Sequence, residues 1–151
     1  MDATICAIDA QAFHLDFVAA IASSSAMLSQ AVAYRMGVPA LVVSEQDWTM
    51  REKDISNLVN GKKVVLVEDN ILTGKSVLQA VNRLREAGAI VSDIVTLTSY
   101  ELPEMKKLML DANLVLHQVI TLSEIVNRAY ETKILTQDEH ARVLHWIARE
   151  Q

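Results

Sequence analysis

Val64-Val65-Leu66-Val67-Glu68-Asp69-Asn70-Ile71-Leu72-Thr73-Gly74-Lys75-Ser76 is the stretch that decides the fold. The run from Lys63 to Val67 is apolar on both faces and reads as a strand buried in a parallel sheet. From Ser76 onward Val77, Ala80, Val81, Leu84 and Ala87 recur at helical spacing, with Gln79, Asn82, Arg83, Arg85 and Glu86 on the other face. Gly88 then suits a left-handed helix cap. Asn70 to Ser76 is therefore expected to turn from a strand's carboxyl end into a helix's amino end. In open α/β sheets ligands bind there.

The residue types in that turn describe a ligand. Free backbone N–H groups and the helix dipole favour an anion. Gly74 lets a phosphate approach the backbone, and the hydroxyls of Thr73 and Ser76 can donate to its oxygens. Glu68 and Asp69 would repel a phosphate beside them but are suited to accept hydrogen bonds from a sugar diol. Phosphate in the loop and hydroxyls on the acids together describe a ribose 5-phosphate. Two other readings compete. Gly74-Lys75-Ser76 matches the end of a Walker A loop, but that motif needs Gly where this chain has Asp69. Acids at strand ends and helix starts also serve as plain caps or solvated charges. The full strand, turn and helix string favours the ligand reading over both.

Composition fits one soluble domain. The chain has 151 residues, 51% of them hydrophobic, enough for a substantial core and a sheet covered on both faces. Net charge is −5, and the Lys and Arg residues are scattered, so no nucleic-acid footprint is expected. The single Cys6 excludes an internal disulfide and is compatible with a reducing cytoplasm. Asp2, Asp9 and Asp16, without early Lys or Arg, argue against a signal peptide. No apolar run approaches the ~18 residues of a membrane span.

Strands and helical segments alternate. Phe17 to Ile21, Ala40 to Val43, Ala89 to Leu97 and Asn113 to Val119 read as strands beside the motif strand. Ser25 to Met36 and Pro103 to Leu110 read as helices, the first stopped by Gly37 and Pro39. Ser44 to Gly61 is polar and irregular, with a helical turn near Ile55 to Val59. Two closing helices each open with a capping box, Thr121-x-x-Glu124 and Thr136-x-x-Glu139. The alternation implies a parallel α/β sheet.

The Glu68 to Ser76 motif resembles the phosphoribosyl-diphosphate (PRPP) motif of the type I phosphoribosyltransferases. From Asp16 to Ala148 the chain is most similar to the orotate branch. FVAAIASSSAMLSQAVAYRMGVPALVV, REAGAIVSDIVTL, VLHQVITLSEIV and ILTQDEHARVLHWI carry that likeness. The resemblance implies a three-layer Rossmann-like parallel sheet with a reduced or missing hood, since about fifteen residues precede the first matched strand. It implies a homodimer in the cytoplasm that binds PRPP, with Mg²⁺ carried on the pyrophosphate, or a nucleoside monophosphate. The phosphoribosyl group would pass to orotate or another base, a step of pyrimidine biosynthesis. Glu68 and Asp69 would hold the ribose diol, Asp69 nearest the reacting centre. Asn70, Ile71, Leu72, Thr73, Gly74, Lys75 and Ser76 would grip the 5-phosphate. Ala22, Ser23, Ser24 and Ser25 would contact pyrophosphate.

Departures from the family pattern are specific. The pyrophosphate loop, usually Ala-Thr-Gly-Gly or similar, is Ala22-Ser23-Ser24-Ser25; serines tolerate positive φ less well than Gly. Leu72 stands where Thr is common, and Lys75 where a small residue is usual. The family's basic residues after the second strand are replaced by Ser44-Glu45-Gln46-Asp47, and its Lys-rich loop is missing; between Ser44 and Lys62 the only cations are Arg51 and Lys53. These differences keep open a second reading, a PRPP- or nucleotide-sensing regulatory protein with weak or no catalysis. A third is a partner subunit completing another chain's site. His14, His117, His140 and His145 lack metal-ligand spacing. Trp48 reads as a loop anchor, and Trp146 as core or interface.

Overall fold

A computed structural model describes residues 14–22, 24–43 and 52–149. The strands are β1 (Phe17–Ile21), β2 (Ala40–Val43), β3 (Val64–Ile71), β4 (Asp93–Ser99) and β5 (Val115–Thr121). The helices are α1 (Ala26–Met36), α2 (Glu52–Val59), α3 (Lys75–Glu86), α4 (Pro103–Asp111), α5 (Leu122–Glu131) and α6 (Gln137–Arg149). The strands form one sheet in the order β2-β1-β3-β4-β5, and every pairing is parallel. This is the Rossmann-like parallel α/β sheet that the alternation of strands and helices implied.

Alternating strand residues enter different layers. Ala19, Leu66 and Ile94 join Ile55 and Val59 of α2, Val77, Ala80, Val81 and Leu84 of α3, and Met105 and Met109 of α4. Val18, Val65, Val67 and Val95 pack on the opposite face against Val32 and Ala33 of α1. The helical spacing expected after Ser76 is thus the buried face of α3. Gly88 closes it at φ 92°, where a side chain would also collide with Asn60.

Several boundaries differ from the sequence reading, and tertiary pairing explains them. β3 extends four residues beyond Val67, because β4 accompanies it from Leu66 opposite Ile94 to Ile71 opposite Ser99. Glu68, Asp69, Asn70 and Ile71 are therefore strand residues, and the turn expected from Asn70 begins only after Ile71. β4 starts at Asp93 rather than Ala89; before it only Ile90 bridges, to Lys63. β5 starts at Val115, since Asn113 is left-handed (φ 52°) after α4. Arg85, placed by periodicity on the solvent side of α3, is half-buried. Its guanidinium donates to Val91 O (2.6 and 3.1 Å) and Ala112 O (3.0 Å), joining α3 to the turns before β4 and after α4.

Both closing helices carry the expected capping boxes. Thr121 N–H and Oγ1 donate to Glu124 at 2.7 and 2.8 Å, and Thr136 does the same to Glu139 at 2.8 and 2.7 Å. His140 stacks on Tyr130 and pairs with Asn127, tying α6 to α5. Trp146 of α6 meets Tyr100 edge-on, with ring centroids 6.1 Å apart. His117 pairs with Asp93 at 2.8 Å across β5 and β4. Cys6, Trp48 and the Ser44 to Asp47 stretch lie outside the described residues.

Candidate functional site

The sheet order reverses between β1 and β3. From β1 the chain crosses through α1, on one face, to β2; from β3 it crosses through α3, on the other face, to β4. The two neighbours consequently splay at their carboxyl ends, and a crevice opens there. It is a cleft of about 360 Å³ between Ile21, Ala22 and Ser24 on the β1 side and the end of β3 with the connection to α3, Glu68 to Gly74, on the other. Ser76 and Val77 of α3 complete the wall.

Two helix starts face this cleft, and neither is capped by its own side chain. Ser25 precedes α1 and Gly74 precedes α3; neither makes a side-chain cap bond, and neither first turn contains an acid. The contrast with the Glu-capped α5 and α6 is informative. At the cleft, the N–H groups and the positive ends of both dipoles are left for an external anion. Gly74 sits at φ 77°, and a Cβ there would lie 2.8 Å from Met109 Cε and 3.3 Å from Met105 Cγ. Glycine thus serves the turn and also lets α4 press against it, a packing role that the motif did not reveal.

The sequence-predicted residues separate into distinct positions. Asp69 is half-buried on the cleft wall, and its Oδ1 accepts from Asn70 N–H at 2.7 Å. Asn70, Ile71, Leu72, Thr73, Gly74 and Ser76 line the cleft, whereas Lys75 points to solvent and does not line it. Ala22 and Ser24 line the opposite wall; Ser23 lies outside the described residues. Ser25 is fully buried behind the wall rather than open to the cleft. Its Oγ donates to Glu68 Oε2 at 2.9 Å and is 3.1 Å from Ile21 O.

Glu68 is the least expected. It is only 6% exposed, and Oε1 accepts from Ile21 N–H at 3.0 Å. A buried N–H without an acceptor would cost about 1–3 kcal/mol, so the carboxylate stabilises the splayed end of β1. Ile21 N and Ser25 Oγ are the partners that sequence reasoning missed. The available signal was an acid set directly after four aliphatic residues of a buried strand, where a charge requires donors. Among the described residues no three His, Cys, Asp or Glu side chains come together as a metal cluster.

Comparison with known proteins places these features. A model of the phosphoribosyl transferase domain matches residues 6–132. The orotate phosphoribosyltransferase of Coxiella burnetii is 29% identical over 133 residues, covering 87% of this chain and 64% of that protein. That of Levilactobacillus brevis is 30% identical over 131 residues, covering 85% and 62%. The chain thus spans less than two thirds of the length of these relatives. In structure, the UMP synthase of Leishmania donovani superposes with a TM-score of 0.77 at 19% identity, over 97% of this chain and 32% of that one. The orotate phosphoribosyltransferase of Aeropyrum pernix gives 0.67 at 19% identity, over 84% and 73%. The Mycobacterium tuberculosis enzyme in complex with PRPP gives 0.63 at 20% identity, over 81% and 72%. At these identities the superpositions speak for the fold.

Proposed function

The chain belongs to the phosphoribosyl transferase domain family, and we propose that it acts as an orotate-type phosphoribosyltransferase, moving the phosphoribosyl group of PRPP to a pyrimidine base. The observation that carries this reading is the cleft between β1 and β3, which joins two uncapped helix starts to one open carboxylate, Asp69. One helix start suits the 5-phosphate, held by backbone N–H groups from Leu72 to Ser76 and by the hydroxyls of Thr73 and Ser76. The other suits the pyrophosphate, beside Ala22 and Ser24. Asp69 lies on the wall of the same cleft and would accept from the ribose diol. A Mg²⁺ ion would arrive on the pyrophosphate. With no cluster of protein ligands among the described residues, it would lean on phosphate oxygens, ribose hydroxyls and water.

The chemistry follows from this placement. The base nitrogen, its proton given up to water or to the departing pyrophosphate, forms a bond to the anomeric carbon as the bond from that carbon to the pyrophosphate oxygen breaks. The electron pair leaves with pyrophosphate. The transition state resembles an oxocarbenium ion, whose developing positive charge the Asp69 carboxylate would favour. The reading includes a homodimer in the cytoplasm, as the family resemblance implies. Among the described residues no helix is long and apolar enough to cross a membrane.

Calorimetric titration with Mg²⁺ and PRPP, compared with ribose 5-phosphate and orotidine monophosphate, tests the proposal. Tight PRPP binding followed by pyrophosphate release with orotate supports a transferase. Binding of the monophosphates without PRPP would replace it by the nucleotide-sensing reading.

A further inference from the structure

Glu68 stands where the sheet comes apart. In β1, Phe17 N–H reaches toward β3, to Lys63 O, while Val18 and Ala22 N–H reach toward β2, to Pro39 O and Val43 O. By this alternation Ile21 N–H faces β3. The β1–β3 pairing, however, ends at Ala19 opposite Leu66, so no backbone ladder continues to meet it. Glu68 Oε1 takes that N–H at 3.0 Å, and Oε2 takes the hydroxyl of Ser25 at 2.9 Å. Ile21 adjoins Ala22 and Ser25 adjoins Ser24, the two residues that line the cleft on this side. One carboxylate therefore clamps the neighbours of both.

We propose that Glu68 is a positioning residue: through Ile21 and Ser25 it holds Ala22 and Ser24 at the cleft wall that receives the pyrophosphate, and Asp69 alone carries the ribose diol. This rests on the transferase reading above and divides the labour between its two acids. It also gives a reason for serine at position 25. A hydroxyl there supplies the second half of the clamp, which glycine cannot do.

The test compares wild type with Glu68→Ala, Glu68→Gln, Ser25→Ala and Asp69→Asn. Affinities for Mg²⁺-PRPP and for ribose 5-phosphate are measured by calorimetry, and exchange of the Ile21 amide by NMR. A clamp predicts that Glu68→Ala and Ser25→Ala lower PRPP affinity about tenfold more than ribose 5-phosphate affinity. Asp69→Asn instead lowers both together. Glu68→Gln restores the selectivity, because its amide oxygen can accept from Ile21 N–H and its NH₂ can donate to Ser25 Oγ. Ile21 exchange is fast in Glu68→Ala and slow in Glu68→Gln. Equal losses for both ligands in the Glu68 and Asp69 variants would make Glu68 a diol ligand and overturn the clamp. So would unchanged Ile21 exchange in Glu68→Ala. If wild type binds neither ligand, the transferase reading fails, and Ile21 exchange still decides the clamp. If Glu68→Ala does not fold, Ser25→Ala and Glu68→Gln carry the comparison.

Discussion

Glu68 and Asp69 are chain neighbours of the same charge, yet strand geometry separates them. Successive side chains of β3 alternate in direction, so Glu68 is buried at the cleft's edge against Ile21 N–H while Asp69 stays half-buried on its wall. Asp69→Asn keeps the shape of that wall and removes its charge. It is expected to weaken ribose 5-phosphate binding by about 10- to 100-fold, the range of a charge-assisted hydrogen bond, while the melting temperature of the free protein stays the same. Calorimetry and a thermal melt check both halves, and unchanged affinity in a folded variant would remove the ribose role. Gly74→Ala acts differently. It forces alanine into the left-handed region and a methyl group toward Met109. The backbone term alone is about 1–2 kcal/mol, and the flexible methionine end can yield part of the remainder. Urea unfolding should show a loss of at least that size.

At the scale of elements, α1 and α3 start toward the cleft with neither a side-chain cap nor an acid in the first turn. By contrast α5 and α6 are closed by their own glutamates; α4, which opens through Leu102 and Pro103, lacks a side-chain cap but carries Glu104 in its first turn. In α5 the backbone N–H of Thr121, then its hydroxyl, hold the Glu124 carboxyl below its ordinary value of 4.5. Thr136 does the same for Glu139. Depressed carboxyls bind fewer protons in the folded state than in the unfolded one. Their stabilisation is therefore present above about 4.5 and fades as pH falls through the lower folded values. Melting temperature followed from neutral pH into this range should fall less steeply in Glu124→Gln/Glu139→Gln than in wild type. Parallel curves would show that the two boxes contribute nothing through charge. The boxes and the apolar stripe of α3 were legible in the sequence, because each depends on residues within about four positions. The length of β3 was not. Polar Glu68 and Asp69 end the apolar run, and Asn70 reads as a turn until β4 is beside it to continue the ladder.

The site belongs to the whole molecule. Its walls come from the ends of β1 and β3, brought together by a sheet whose central strands are far apart in the chain. A ligand bridging both walls should stabilise the native state as a unit. PRPP at about a hundred times its dissociation constant adds about 2.7 kcal/mol, which for a domain of this size raises the melting temperature by several degrees. The same shift should be reduced in Asp69→Asn, and differential scanning fluorimetry reads it directly. An equal shift in both proteins would place the ligand elsewhere.

The amino-acid sequence by itself determined the parallel α/β class, the strand–loop–helix motif, the buried face of α3, both capping boxes and the left-handed stop at Gly88. All of these are written in local periodicity and near-neighbour chemistry. Only the tertiary structure decided that Glu68 holds Ile21 N–H, 47 positions away, and that Ser25 is buried behind the cleft rather than facing it. It also decided that Arg85 bridges to the turns at Val91 and Ala112, and that Gly74 is pressed by α4. The reason is the same in each case. A buried charge or a bare backbone takes its role from whichever strand or helix the fold sets against it, and that neighbour is distant in the chain.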